Sequence, residues 1–304
     1  MCNIEISNED FQSAYTKDDE ILDEGYFAIS SVHDQKGTHY LALKASQSDY
    51  YTKRTEEIKK LYSPDLFGNN PGFANLVRIV HDTKTNEDIF LLDNKSCQNG
   101  FLMKYLQNPR NEEYSTQNNT EIQAILIKLA KSILDAHTKS VVLRNVSISN
   151  VALDDNNNPV IISLLPACKN GDVAPILDLS PTLCPPEAKL IHNQNRQTNP
   201  NDLTLEIKPE QDVYVFGALM LMLSGGKFAT IGFSLRTFAP PPKFLPVPPK
   251  HESEAVKKLI TEMLSANPED RPTIGTVFEK LKSGEVMLQD VDKAKLETLL
   301  NGFE

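Results

Sequence analysis

The chain has no CxxC pair, no glycine-rich loop, no long apolar run and no basic excess. Its four cysteines, Cys2, Cys97, Cys168 and Cys184, are scattered. That spacing fits reduced thiols in a cytosolic protein rather than a zinc or disulfide framework. The longest unbroken apolar run lies around Gly217–Leu223, far short of the roughly 20 residues that a membrane span requires. Met1-Cys2-Asn3 leads into acidic residues, so neither a secretory signal nor a myristoylation site is expected. The formal net charge of −10 argues against a general nucleic-acid or membrane-surface binder. What is present is ordinary for a soluble globular protein. Over the 304 residues, 40% are hydrophobic and 24% charged, enough for one large domain or two packed lobes.

Residues 1–20 are polar and acidic and read as a short helical or flexible lead-in. From Ile21 to Ala45 the pattern is strand, strand, strand, with Ile29–Val32 and Tyr40–Lys44 joined by a turn. Lys53–Tyr62 reads as a helix carrying Glu56 and Glu57, and Ile89–Leu92 as a further strand. From Thr120 the period changes. Ile122, Ile125, Leu126, Leu129, Ala130 and Ile133 mark one face of a long helix. His137 near its end suits capping or packing better than catalysis. Val151–Leu153 and Val160–Ile162 flank the turn residues DDNNNP, a hairpin with a longer loop. Ala218–Leu223 is apolar all round, as a central helix should be. Pro240–Pro249 should be extended polyproline II. Two amphipathic helices follow, one marked by Val256, Leu259, Ile260, Met263 and Leu264, the other by Ile274, Val277, Phe278 and Leu281. Residues 285–304 read as an appended helix with Leu296, Leu299, Leu300 and Phe303 on one face, packed on the domain.

Several segments, in order, resemble motifs of the protein kinase family. Leu41-Ala42-Leu43-Lys44 is similar to the Val-Ala-Ile-Lys strand, and Asp23-Glu24-Gly25-Tyr26-Phe27-Ala28 stands where the family has its glycine-rich loop. Leu143-Arg144-Asn145-Val146-Ser147-Ile148-Ser149-Asn150 resembles the His-Arg-Asp catalytic loop, and Leu164-Leu165-Pro166 occupies the place of Asp-Phe-Gly. Pro185-Pro186-Glu187 resembles Ala-Pro-Glu, Asp212-Val213-Tyr214-Val215-Phe216-Gly217 resembles Asp-x-Trp-x-x-Gly, and Asn267-Pro268-Glu269-Asp270-Arg271-Pro272-Thr273 is close to Asp-Pro-x-x-Arg-Pro-Ser/Thr.

The resemblance implies an α+β, bilobal kinase-like fold. It places a β-rich N-lobe with helix αC at 21–94, a helical C-lobe at 95–283 and an appended helix at 284–304. It also implies a Glu187–Arg271 pair and an Asp212 that anchors the catalytic loop.

The same resemblance places degenerate residues at the chemistry. Asn145 replaces the aspartate that accepts the substrate proton, and an amide is no base near pH 7. Leu164 replaces the magnesium-binding aspartate and offers no oxygen to a hard cation. Only Gly25 remains of the phosphate loop. No catalytic set and no metal site are expected. Lys44, Glu57, Gly25 and Asn150 are the residues left for a nucleotide, with ATP held without magnesium as the open cofactor question. Glu56 is the alternative helix glutamate.

The function implied is that of a pseudokinase: a cytoplasmic scaffold or allosteric regulator for a protein partner such as an active kinase or signalling protein. The alternative is an atypical nucleotide-dependent transferase or weak kinase that recruits Asp154, Asp155, Asp172 or Asp178. An unrelated helical scaffold is the third reading.

Overall fold

A computed structural model describes residues 5–23, 27–45, 54–102, 118–176, 183–194, 203–231 and 243–301. The chain is α+β and divides into two compact units. One comprises 1–102 and 148–167, the other 103–147 and 168–304.

The first unit is built on a six-stranded sheet. Its elements are β1 (Glu5–Glu9), α1 (Phe11–Ala14), β2 (Tyr15–Asp23), β3 (Phe27–Asp34), β4 (His39–Ala45), α2 (Thr55–Leu61), β5 (Leu76–Asp82) and β6 (Glu87–Asp93). The spatial order is β1-β5-β6-β4-β3-β2. All neighbours pair antiparallel except β1, which runs parallel to β5 with Glu5 opposite Arg78. The polar lead-in is therefore not loose. Residues 5–23 supply both edges of the sheet and a helical turn between them. Alternating side chains divide the sheet into two faces. Leu41 and Leu43 share one face with Phe90 and Leu92. Ala42 and Lys44 share the other with Ile89 and Leu91. The second face carries a core of Tyr15, Val32, Ala42, Val80, Ile89 and Leu91, covered by Phe11, Ala14 and Tyr40. The hairpin Val151–Leu153/Pro159–Ile161 belongs to this unit. It is tied in by Ala74 N–H to the Ile161 carbonyl (2.9 Å) and Asn99 N–H to the Leu153 carbonyl (3.0 Å).

The second unit is helical: α3 (Asn119–Thr138), α4 (Pro186–Gln194), α5 (Pro209–Leu223), α6 (Glu254–Met263), α7 (Ile274–Lys282) and α8 (Lys293–Leu300). The predicted apolar face of α3 is buried, and so are Asn119, Thr120, Gln123 and Lys128 around it. Three of these, Asn119, Thr120 and Gln123, hold the segment that follows α7. Gln123 donates to the Val286 carbonyl (3.2 Å) and accepts from Leu288 N–H (3.1 Å). Asn119 donates to the Gln289 carbonyl, and Thr120 accepts from Asp292 N–H. The appended segment thus packs on α3, but its helix begins only at Lys293. Residues 285–292 are irregular, with a turn at Gln289–Asp290, and are held by the α3 side chains. Leu296 is buried, Leu299 and Leu300 are half-buried, and Phe303 lies outside the described residues.

After a polar first turn, α5 is apolar all round, and it is buried along almost its whole length, the position expected of a central helix. Gly217 allows its close packing on α6, since an added Cβ would stand 2.7 Å from that of Met263. The proline-rich stretch is a correction. Where it is described, Lys243–Val247 pairs antiparallel with Lys227–Ile231, Phe228 opposite Pro246. Polyproline II and β backbone share neighbouring dihedral angles, so proline content sets extension without excluding a ladder partner. No helix among the described residues is long and apolar enough to cross a membrane.

Candidate functional site

The kinase-like motifs fall in both units, and each is described where it lies. In the sheet unit, β4 brings Lys44 to an ion pair with Glu87 on β6. Glu87 is largely buried, whereas the Lys44 side chain is 42% exposed. The pair sits on the Ala42–Ile89 face, the one α1 covers. Helix α2 starts on the other face: Thr55 donates to Asp88, which alternates with Glu87 and shares a face with Phe90 and Leu92. Lys44 and the α2 glutamates are therefore not brought together. Glu57 is exposed and pairs with Arg54 (2.9 Å). Gly25 lies outside the described residues. The sequence x-Ala-x-Lys marks a strand without saying which face it buries. The larger pair, Leu41 and Leu43, packs on the α2 side, and alternation sends the lysine the other way.

The hairpin and the turn after it are held by side chains that motif reading did not single out. Tyr62, 2% exposed, donates to the Ile162 carbonyl (2.9 Å) and accepts from Leu164 N–H (3.0 Å). Burial pushes its phenol far above the ordinary tyrosine range, against the opposing hydrogen bond from Leu164. Arg54 donates to the carbonyls of Leu165 (3.4 Å) and Ala167 (2.6 Å). Leu164 itself is fully buried. Asn150 clamps Ser163 from both sides: its oxygen accepts Ser163 N–H (2.7 Å) and its amide donates to the Ser163 carbonyl (3.0 Å). A tyrosine and an arginine flanking a Glu-Lys helix carry no local signal of such long-range bonds. Only the fold supplies their partners.

Replacing Tyr62 with phenylalanine keeps the ring but strands a buried N–H and a buried C=O. The expected loss is about 1–3 kcal/mol of unfolding free energy, measured by urea denaturation.

In the helical unit the loop after α3 is organised by Asp212, which is fully buried. Its carboxylate accepts from Leu143 N–H (2.8 Å), Arg144 N–H (2.6 Å) and the ring of His137 (2.9 Å). Arg144 has φ +66, a left-handed conformation rare for a residue with a side chain. Its guanidinium donates to the Pro175 carbonyl and to Cys168 Sγ. Asn145 is 1% exposed. Further along, Arg271 grips both oxygens of Glu187 (2.9 and 2.8 Å) and also donates to the carbonyls of Glu210 and Ser265. The two structural roles implied for Asp212 and for Glu187–Arg271 are thus present as hydrogen bonds.

Three of the four substitute carboxylates make local hydrogen bonds, Asp155 with the Asn156 side-chain amide (2.8 Å). Asp154 caps its own turn through Asn156 and Asn158 N–H, and Asp172 accepts from Lys169 N–H. Asp178 lies outside the described residues.

No family model matches the chain. It is similar to the serine/threonine-protein kinase pkn3 of Myxococcus xanthus, with 24% identity over 191 residues. The matched part is 59% of this chain and 32% of that protein, so the chain spans about a third of the relative's length. A kinase-like relationship over part of the chain is what this likeness supports.

Proposed function

We propose that this is a kinase-like protein that transfers no phosphate and works by binding another protein. The sheet unit and the helical unit are read as the small and large lobes of that fold. The observation that carries the reading is the pairing of Lys44 with Glu87 on the face opposite α2. A kinase needs that lysine on the α- and β-phosphates, backed by a helix glutamate.

The other chemical positions agree. Asn145 cannot take a proton from a hydroxyl. Leu164 is a buried hydrocarbon where a magnesium ligand would stand. The side-chain oxygen of Asn150 already accepts Ser163 N–H. Recognition of a protein partner, such as an active kinase or signalling protein in the cytoplasm, is then the role left to the scaffold.

The test is a thermal-shift titration with ATP, with and without magnesium, beside an assay for transfer of labelled γ-phosphate. The expected result is an unchanged Tm in both series and no transferred label. Turnover that disappears in Asn150→Ala would overturn the reading in favour of a weak or atypical transferase.

A further inference from the structure

We propose that Asp18, His33 and His39 form a binding site for a borderline divalent transition-metal ion such as zinc. The three side chains come from adjacent strands: edge strand β2, then β3 and β4. One ligand atom from each lies within 4.8 Å of the others. Asp18 Oδ1 is 2.7 Å from His33 Nδ1, and Asp18 Oδ2 is 3.3 Å from His39 Nδ1. With metal–nitrogen and metal–oxygen bonds near 2.0–2.1 Å, neighbouring ligands of a tetrahedral ion stand about 3.3 Å apart. Bringing atoms at most 4.8 Å apart to that spacing takes up to about 1.5 Å in all, shared between side chains with rotamer freedom.

Local structure prepares the arrangement twice. First, His33 and His39 are a directly opposed cross-strand pair, and their ring centroids are 5.5 Å apart. The turn between them fixes that register. Asp34 accepts from Lys36 and Thr38 N–H (2.9 Å each), and Gly37 takes φ +81. Second, the β2–β3 register slips between Lys17 and Asp19, so Asp18 is the bulged residue. A bulge re-aims a side chain that regular alternation would send elsewhere. Here it turns one carboxylate toward both imidazoles, while Ser31 Oγ approaches the Asp18 oxygen at 3.5 Å.

The donor set chooses the ion. Two imidazoles and one carboxylate suit zinc, copper, nickel or iron(II), and suit magnesium or calcium poorly. Three protein ligands leave coordination positions for water. Asp18 and His39 are exposed and His33 is half-buried, so an ion can enter from solvent. Bound there, it would cross-link the edge strand β2 to the β3–β4 hairpin.

The experiment titrates the metal-stripped full chain with zinc against a chromophoric indicator, then repeats it with Asp18→Asn, His33→Gln and His39→Gln. The expected result is one zinc per chain, a higher Tm with zinc and no response to magnesium. Each substitution should weaken binding by more than about tenfold, the lower bound of what disturbing ligand orientation alone costs. Cobalt(II) titrated into the unaltered chain gives a reading independent of the variants' folding. Visible bands without a near-ultraviolet thiolate band, together with paramagnetic broadening of two histidine ring signals, are expected. A thiolate band would place the metal on cysteine. No stoichiometric zinc, or binding indifferent to all three substitutions, would leave a surface hydrogen-bonded cluster only. Either result would overturn the proposal.

Discussion

Arg271→Ala should cost about 3–5 kcal/mol of unfolding free energy, the range for removing one partner of a buried ion pair. The guanidinium side chain has no exposed surface, and the Glu187 side chain is 19% exposed. The bond is a fork, both nitrogens on both oxygens, which lysine cannot reproduce. The same group donates to two main-chain carbonyls, of Glu210 and Ser265. It also lies 5.0 Å from the centroid of the Tyr214 ring. Burial pushes the Tyr214 phenol up to about 12, against the pull of this cation. Removing the arginine therefore strands a carboxylate and two carbonyls at the junction of α4, α5 and the turn before α7. Arg271→Lys should recover only part of the loss. A double-mutant cycle with Glu187→Ala, followed by guanidinium denaturation, should give a coupling of about 0.5–3 kcal/mol. A loss below about 1 kcal/mol for Arg271→Ala would mean that the pair is not holding the helical unit.

That pair was legible only through the resemblance to the protein kinase family, since nothing local in Pro-Pro-Glu or in Arg-Pro-Thr says that residues 84 apart will meet. The helices were legible for a different reason. Apolar spacing in α3, α6 and α7 reports a buried face directly, and those faces are buried. The sheet was less so. Glu5–Glu9 is polar, and its strand exists only because β5 offers a parallel edge. Lys44 shows the limit most sharply. Its strand was readable, but the face of that strand depends on which neighbours compete for burial, and Leu41 and Leu43 win the α2 side. The bonds of Tyr62 to Ile162 and Leu164, and of Gln123 to Val286 and Leu288, span long sequence separations. No local pattern announces them. The cluster of Asp18, His33 and His39 was invisible for the same reason: its geometry needs a bulge and a hairpin register, not a motif.

Asp212→Ala should be as damaging as the loss of Arg271 and should act on a different part of the helical unit. One carboxylate serves three donors: Leu143 N–H, Arg144 N–H and the His137 ring. Two are main-chain groups in a buried loop where water has little access. A buried donor left without a partner costs about 1–3 kcal/mol, so the summed expectation is about 3–5 kcal/mol. The loop has further reason to fail. Arg144 is held at φ +66, a conformation that persists only where its surroundings over-determine it. Once Asp212 is gone, that backbone loses two of its main-chain anchors, and the guanidinium contacts to Pro175 and Cys168 carry more of the strain. Residues 143–147 should then become the first site of limited proteolysis and lose amide-exchange protection before α3 or α5 does. Asp212→Asn separates charge from shape. Its carbonyl can still accept, but its amide turns donors toward donors, so a loss between those of the wild type and the alanine variant is expected. If the asparagine variant were as stable as the wild type, the carboxylate charge would not be what organises this loop.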